Sequence, residues 1–323
     1  MHTFVARRIL YAIPVLFGIT IIAFSILSLA PGDPAAARIA PEQRASLTRE
    51  QLEAVRRQLG LDGPVHVRYF RWLKGILHGD FGFSIRTGRP VIEEMYPRIR
   101  PTLTLMGTSI ILAVAIGIPF GILSAVRQYG YLDYLISTLT MVMVSTPTFV
   151  LGLLLIYSLG VSLRLLPTGE MASAGQAFSF SDLALHLIMP ATILGFANAA
   201  PLMRYTRAGM IEVLNSDYIV TARAKGVRNT AVVVQHGLRN ALLPIVTFLG
   251  LIVPELVAGA IITEQVFSWP GMGRLAVRAA SDRDPSLMMG IVLLVASAVL
   301  AANILTDIVY MYVDPKISLP SNG

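Results

Sequence analysis

Six runs of apolar residues set the limits on what this chain can fold into: Ile9–Ala30, Thr102–Val126, Tyr134–Leu163, Leu183–Met203, Ala241–Ile262 and Pro285–Thr306. Crossing a hydrocarbon core takes about 20 apolar residues in a helix, and each run meets or approaches that length. The first, second, third and last contain no charged residue. The rest of the chain agrees, with 54% hydrophobic and 14% charged residues and a mean hydropathy of +0.66. That is too apolar for a soluble domain of this size, and the expectation is an all-α, integral membrane protein with six transmembrane helices. Ile9–Ala30 follows Arg7 and Arg8 as a signal peptide would. Its uncharged run is longer than the ~7–15-residue core of such a signal, which favours a retained span.

Basic residues in the short connections fix the orientation. Arg7 and Arg8 place the amino terminus in the cytoplasm, and Lys316 lies on a cytoplasmic tail. The Gln128–Asp133 link, beside Arg127, is then also inside. So is the Thr206–Asn240 loop, where Arg207, Arg223, Lys225, Arg228 and Arg239 outweigh Glu212 and Asp217. Pro31–Pro101 falls outside and is too long for a turn; Thr48–Leu59 reads as an amphipathic helix with Leu52, Val55 and Leu59 at helical spacing. The expected organisation is an N-terminal span plus extracytoplasmic region (1–97), a five-helix core (98–312) and a cytoplasmic tail (313–323). The net charge of +7 is scattered over loops, which offers no nucleic-acid surface.

The inner loop has a pattern of its own. Asp217 is placed to cap a helix from Tyr218 to Lys225, and Gly226 to end it in the left-handed conformation. Asn229 or Thr230 can cap a second helix running through His236 towards Asn240. This segment resembles the coupling loop of the permease subunits of binding-protein-dependent ABC importers, whose pattern is Glu-Ala-Ala, three residues, Gly, nine residues, Ile-x-Leu-Pro. The chain matches at Ala222, Gly226 and Leu238, and departs at Val220, Thr221, His236 and Arg239. The Thr221–Gly226 core and the His236–Pro244 ending are similar to the dipeptide/oligopeptide/nickel branch. Two more segments resemble motifs of that branch: Gly79-Asp80-Phe81-Gly82-Phe83-Ser84, and Glu264 to Gly273, which reads Glu-x-x-Phe-x-x-Pro-Gly-x-Gly.

The resemblance implies a type I ABC importer permease fold in a bacterial or archaeal cytoplasmic membrane. It also implies a second homologous permease, two ATPase subunits that bind ATP and Mg, and an extracytoplasmic substrate-binding protein. On that reading Tyr218, Thr221, Ala222, Arg223, Ala224, Lys225, Gly226 and Arg228 couple to the ATPase. Peptides are the expected cargo, with nickel or another small solute as the alternative. A secondary transporter or channel is the rival of a different class, and intramembrane charges suited to ion coupling are scarce here.

No phosphate-cradling Gly-x-x-x-x-Gly-Lys-Ser/Thr loop occurs, the histidines at 2, 66, 78, 186 and 236 lack metal-ligand spacing, and the chain has no cysteine. No catalytic, metal or cofactor-binding residue is expected. Glu255 is the carboxylate set inside an apolar run; either it lines the translocation pathway or it is protonated or paired within the bundle. His186 and Asn198 read as helix–helix contacts, and Asp307 as a group that snorkels or pairs locally. In the outer segment, Phe267 and Trp269 are placed for an interfacial position, Pro270, Gly271 and Gly273 for a turn, and Arg283 and Asp284 for a charged lip. These residues form an outer gate or a binding-protein contact, or they anchor the fifth span.

Overall fold

The computed structural model describes residues 2–30, 35, 48–175, 177–252 and 260–313. Among them the helices are α1 (His2–Leu29), α2 (Arg49–Gln58), α3 (Val65–Leu77), α4 (Val91–Val126), α5 (Tyr131–Ser145) and α6 (Thr148–Leu155), which runs on as a π-helical segment, Ile156–Ser162. Then come α7 (Phe180–Leu214), α8 (Asp217–Ala224), a turn at Asn229–Ala231, a second π-helical segment at Val232–Leu238, α9 (Arg239–Ile252), α10 (Ile261–Val266), α11 (Met272–Ser281) and α12 (Pro285–Val313). The chain divides into two compact units, Met1–Pro101 with Pro270–Leu300 and Thr102–Trp269 with Ala301–Gly323.

In the first unit, α1 buries only Thr20 among its described side chains, and more than half of the others are exposed, as on a lipid-facing helix. Its contact with α3 is aromatic. Tyr69 lies edge-on to Phe17 and Phe24, Trp72 tilts against both Tyr69 and Phe24, and the Tyr69 hydroxyl is 2.9 Å from Thr20 Oγ1. The Arg68 guanidinium stands 5.8 Å over the Phe24 ring; burial and the neighbouring Arg71 cation lower its pKa, while Asp62 acts in the opposite direction. The amphipathic helix expected at Thr48–Leu59 is α2, and a capping box starts it: Thr48 Oγ1 accepts from Gln51 N, and Gln51 Oε1 accepts from Thr48 N. Val91, Met95, Met272, Leu275, Ala279, Leu287 and Ile291 form this unit's core.

The second unit is built around α7, whose buried stripe runs from His186 to Met210. Helix α4 approaches it through small residues. A Cβ added at Gly121 would stand 2.8 Å from the Met203 carbonyl oxygen and 2.6 Å from Thr206 Cβ. Gly117 and Gly121 have the small-xxx-small spacing that brings helix backbones together where lipid removes the hydrophobic drive between them.

Four described helices are long and apolar enough to cross a membrane, Ala6–Leu29, Val91–Val126, Phe180–Leu214 and Pro285–Ile308. They contain the first, second, fourth and sixth expected runs. The third run, Tyr134–Leu163, is not one straight helix: α5 and α6 meet at 94°. Pro147 has no N–H for the helical ladder and pushes Thr146 into an extended conformation (φ −91°, ψ 123°). The fifth run begins as α9, and residues 253–259 lie outside the described set, so the described helices give four spans, or five with the bent pair. Replacing Gly121 by Ala should destabilise the α4–α7 contact by about 1–3 kcal/mol, read as a lower unfolding temperature of the detergent-purified chain.

Candidate functional site

Asp217 is the first residue of α8 rather than its cap, which is Ser216. The Ser216 hydroxyl turns back to donate to Val213 O at 2.6 Å, so no side chain caps this helix. Asp217 in the first turn and Arg223 in the last still complement the helix dipole. Gly226 has φ +77°, and the helix ends in a Schellman arrangement: Gly226 N donates to Arg223 O at 3.0 Å and Val227 N to Ala222 O at 3.3 Å. The second helix expected after Asn229 is not a separate element. After one turn it becomes the π-helical segment Val232–Leu238 and continues directly into α9.

Ile219 is fully buried and Ala222 half-buried, and α8 packs against the Val232–Leu238 segment. Every other residue of α8 is exposed. Ala222 therefore faces its own chain, whereas Tyr218, Val220, Thr221, Arg223 and Ala224 point outwards, followed by exposed Lys225, Gly226, Val227 and Arg228. Arg223, Lys225 and Arg228 form no ion pair among the described residues. The apolar side chains of Tyr218, Val220 and Val227 thus stand in the open beside Arg223, Lys225 and Arg228. The anchoring role of Ile219 was missed in the sequence, although its spacing three residues before Ala222 is the signal for it.

A polar cluster lies nearby that sequence reasoning also missed. Arg207 on α7 grips Asp133 on α5 with two bonds of 2.8 Å, from Nε and from Nη2. Ser124 and the backbone N–H of Tyr129 complete the shell of that carboxylate, which is 3% exposed.

The outer segment departs from its expected place at the interface. Phe267 is 2% and Trp269 0% exposed. Trp269 packs with Leu105, Met106, Ala191 and Leu194, and Phe267 with Met189 and Ile193. A positive φ of 51° at Ser268 reverses the chain and turns both rings inwards. The turn is held by Trp269 N donating to Glu264 O at 2.8 Å and by Glu170 N donating to Phe267 O at 2.7 Å. Glu264 is itself fully buried and accepts from Thr102 Oγ1 at 2.8 Å. His186, also buried, sits 2.8 Å from the carbonyl oxygen of Asp182 through Nδ1, a local contact within α7.

In the first unit, Pro270 is half-buried, Gly271 and Gly273 are buried, and Arg283 is exposed with φ 51°. Asp284 does not stand on a charged lip. It is 1% exposed and caps α12, accepting from Leu287 N at 3.0 Å, while Ser84 of the Gly-Asp-Phe-Gly-x-Ser motif donates to it at 2.6 Å and Arg86 N at 3.3 Å. That motif is a turn held by Asp80 Oδ1, which accepts from Gly82 N at 2.8 Å. Glu255 lies outside the described residues, as do the side chains of His236 and Arg239. Among the described residues no group of His, Asp or Glu is arranged to hold a metal ion.

Known proteins match both the sequence and the fold. The family described as "Binding-protein-dependent transport system inner membrane component" matches residues 117–319, and its N-terminal counterpart matches residues 1–106. The oligopeptide transport system permease protein AppB of Bacillus subtilis is 43% identical over 318 residues, which are 98% of this chain and 99% of that protein. The dipeptide transport system permease protein DppB of Escherichia coli K12 is 40% identical, covering 98% of this chain and 99% of the relative. The glutathione transport system permease protein GsiC of Salmonella paratyphi A is 41% identical, with the same coverage on both sides. Among solved structures, the MetNI methionine ABC transporter in an inward-facing conformation aligns with 69% of this chain and 97% of its own, with a TM-score of 0.56 at 17% identity. With 40–43% identity over almost the whole length and both family segments matched, the chain belongs to the inner-membrane components of binding-protein-dependent transport systems.

Proposed function

We propose that this chain forms half of the translocation pathway of an ATP-driven peptide importer, with six transmembrane helices and both termini in the cytoplasm. A second, related permease completes the pathway, two ATPase subunits bind ATP and Mg below it, and an extracytoplasmic binding protein delivers cargo above it. The membrane is the cytoplasmic membrane of a bacterium or archaeon. The chain itself makes and breaks no bonds. Peptide cargo is supported by the relatives, which are named for oligopeptide, dipeptide and glutathione transport. We also assign residues 1–97 to the N-terminal span and outer region, 98–312 to the permease core and 313–323 to a tail; two family segments, 1–106 and 117–319, support a two-part organisation.

The observation that carries this reading is α8. It is short, closed at one end by the Gly226 turn and seated on its own chain by Ile219. It presents Tyr218, Val220, Arg223 and Lys225 outside the apolar spans. A rigid element of this kind can carry the closure of two ATPases into the membrane as a rigid-body movement. A secondary transporter has no use for such a surface. In proteoliposomes, uptake should require ATP, both ATPases, the second permease and the binding protein; uptake by this chain alone would support the rival reading.

Ala222→Glu, which forces a charge into the seat of α8, and Gly226→Pro, which cannot adopt φ +77°, should abolish uptake while leaving the amount of inserted permease unchanged. Gly226→Ala, with roughly 1–2 kcal/mol of left-handed strain, should retain partial uptake. Glu255→Gln should change the apparent affinity or selectivity of uptake if the carboxylate lines the pathway, and unaltered kinetics would assign it to the bundle.

A further inference from the structure

Asp133 gathers four hydrogen bonds from three parts of the second unit. Its Oδ1 accepts from Arg207 Nε and from the Ser124 hydroxyl, and its Oδ2 accepts from Arg207 Nη2 and Tyr129 N. Ser124 belongs to the last turn of α4, Tyr129 to the link that follows with φ 60°, Asp133 to the first turn of α5, and Arg207 to α7. The two parallel Arg–carboxylate bonds fix direction as well as distance, which one ammonium group would not. Asp133 is 3% exposed.

A pair of this kind, with Asp133 buried and Arg207 still 30% exposed, is a modest source of stability. Desolvating the carboxylate offsets much of the attraction it gains, and apolar side chains of similar volume often serve as well. What the pair supplies here is registry between helices, and its position says which helices. Arg207 stands about two turns before the end of α7 at Leu214. From there the chain reaches α8 through Asn215 and Ser216, and the link has no slack: Asn215 N donates to Ile211 O, Ser216 N to Val213 O and Ser216 Oγ to Val213 O, at 3.2, 3.0 and 2.6 Å. A displacement of α8 is therefore passed into α7; among the described residues, beside the single Thr140–Met203 contact between α5 and α7, the Arg207–Asp133 cluster is the polar group that ties α7 to both α5 and the end of α4.

We infer that Asp133 and Arg207 are a positioning pair that transmits the movement of α8 from α7 to the α4–α5 corner, so that ATP hydrolysis by the partner subunits is converted into reorientation of the pathway. The inference rests on the coupling role proposed for α8. Without the pair, α7 still follows the ATPases and keeps its close packing on α4 at Gly121, but the α4–α5 corner is no longer held to α7 in direction, and most of the nucleotide is hydrolysed without transport.

The test is the ratio of peptide imported to ATP hydrolysed by the complete transporter in proteoliposomes, per assembled complex, for D133N, R207M, R207K and S124A. D133N and R207M should lower the ratio about tenfold while hydrolysis persists. R207K, which keeps the cation but not the fork, and S124A, which removes one of the four bonds, should lie between these and the parent. Uptake and hydrolysis falling together in proportion to assembled complex would make the pair merely structural and overturn the inference. So would unchanged ratios in all four variants. If D133N and R207M fail to assemble, parental ratios in R207K and S124A overturn it equally. Ala222→Glu, run in parallel, separates the two readings: if it alone abolishes uptake, the coupling role of α8 stands and the inference about the pair fails; if it leaves uptake normal, the coupling role itself fails.

Discussion

In hydrocarbon a backbone must satisfy its own hydrogen bonds, and every large feature of this chain follows from that requirement. The long apolar segments have become helices, and where one is interrupted the interruption has a chemical cause, as at Thr146–Pro147 between α5 and α6. The same requirement removes the usual reason for helices to associate, since lipid is as apolar as a protein core. What replaces it is visible at Gly117 and Gly121, where α4 comes close to α7 through the absence of side chains.

Buried polar pairs do the rest of the joining. Ser84 meets Asp284 across 200 residues of sequence in the first unit, and in the second Thr102 meets Glu264 across 162 and Asp133 meets Arg207 across 74. The acid of each lies at or near the end of a helix, Asp284 before α12, Glu264 in the short α10 and Asp133 in the first turn of α5, where polar groups are least costly to place. Each also involves an acid that would be expensive to bury without its partner. Two of these pairs include a residue of a segment that the sequence marks as a motif, Ser84 and Glu264, which gives those motifs a structural role beside any functional one.

Local chemistry was the legible part of the sequence. Helix α2 lies where the spacing of Leu52, Val55 and Leu59 placed it, Gly226 takes the left-handed conformation, and the first, second, fourth and sixth apolar runs correspond to long helices, because each of these depends only on near neighbours. Distant pairing was not legible. Nothing in a single sequence tells Asp133 that Arg207 is its partner, and the inward rotation of Phe267 and Trp269 depends on a backbone reversal at Ser268, a residue type not suited to positive φ. The bend at Pro147 lies between these cases: the proline was in plain view, but apolar composition on both sides hid it inside one run. The join between the π-helical segment and α9 escaped for the opposite reason, since a change from polar to apolar residues looked like a boundary where the backbone has none.

Helix α7 has one further consequence. Its 35 residues extend about 52 Å at 1.5 Å per residue, against a hydrocarbon thickness of about 30 Å. Its uncharged stretch ends at Met203, and Arg204, Arg207 and Glu212 follow, so the excess emerges at the end that leads to α8. Roughly 15–20 Å of helix overhangs the bilayer as a stalk and lifts α8 clear of the lipid headgroups. The helix is then a lever, turning a small swing at its outer end into a tilt of the stretch within the membrane.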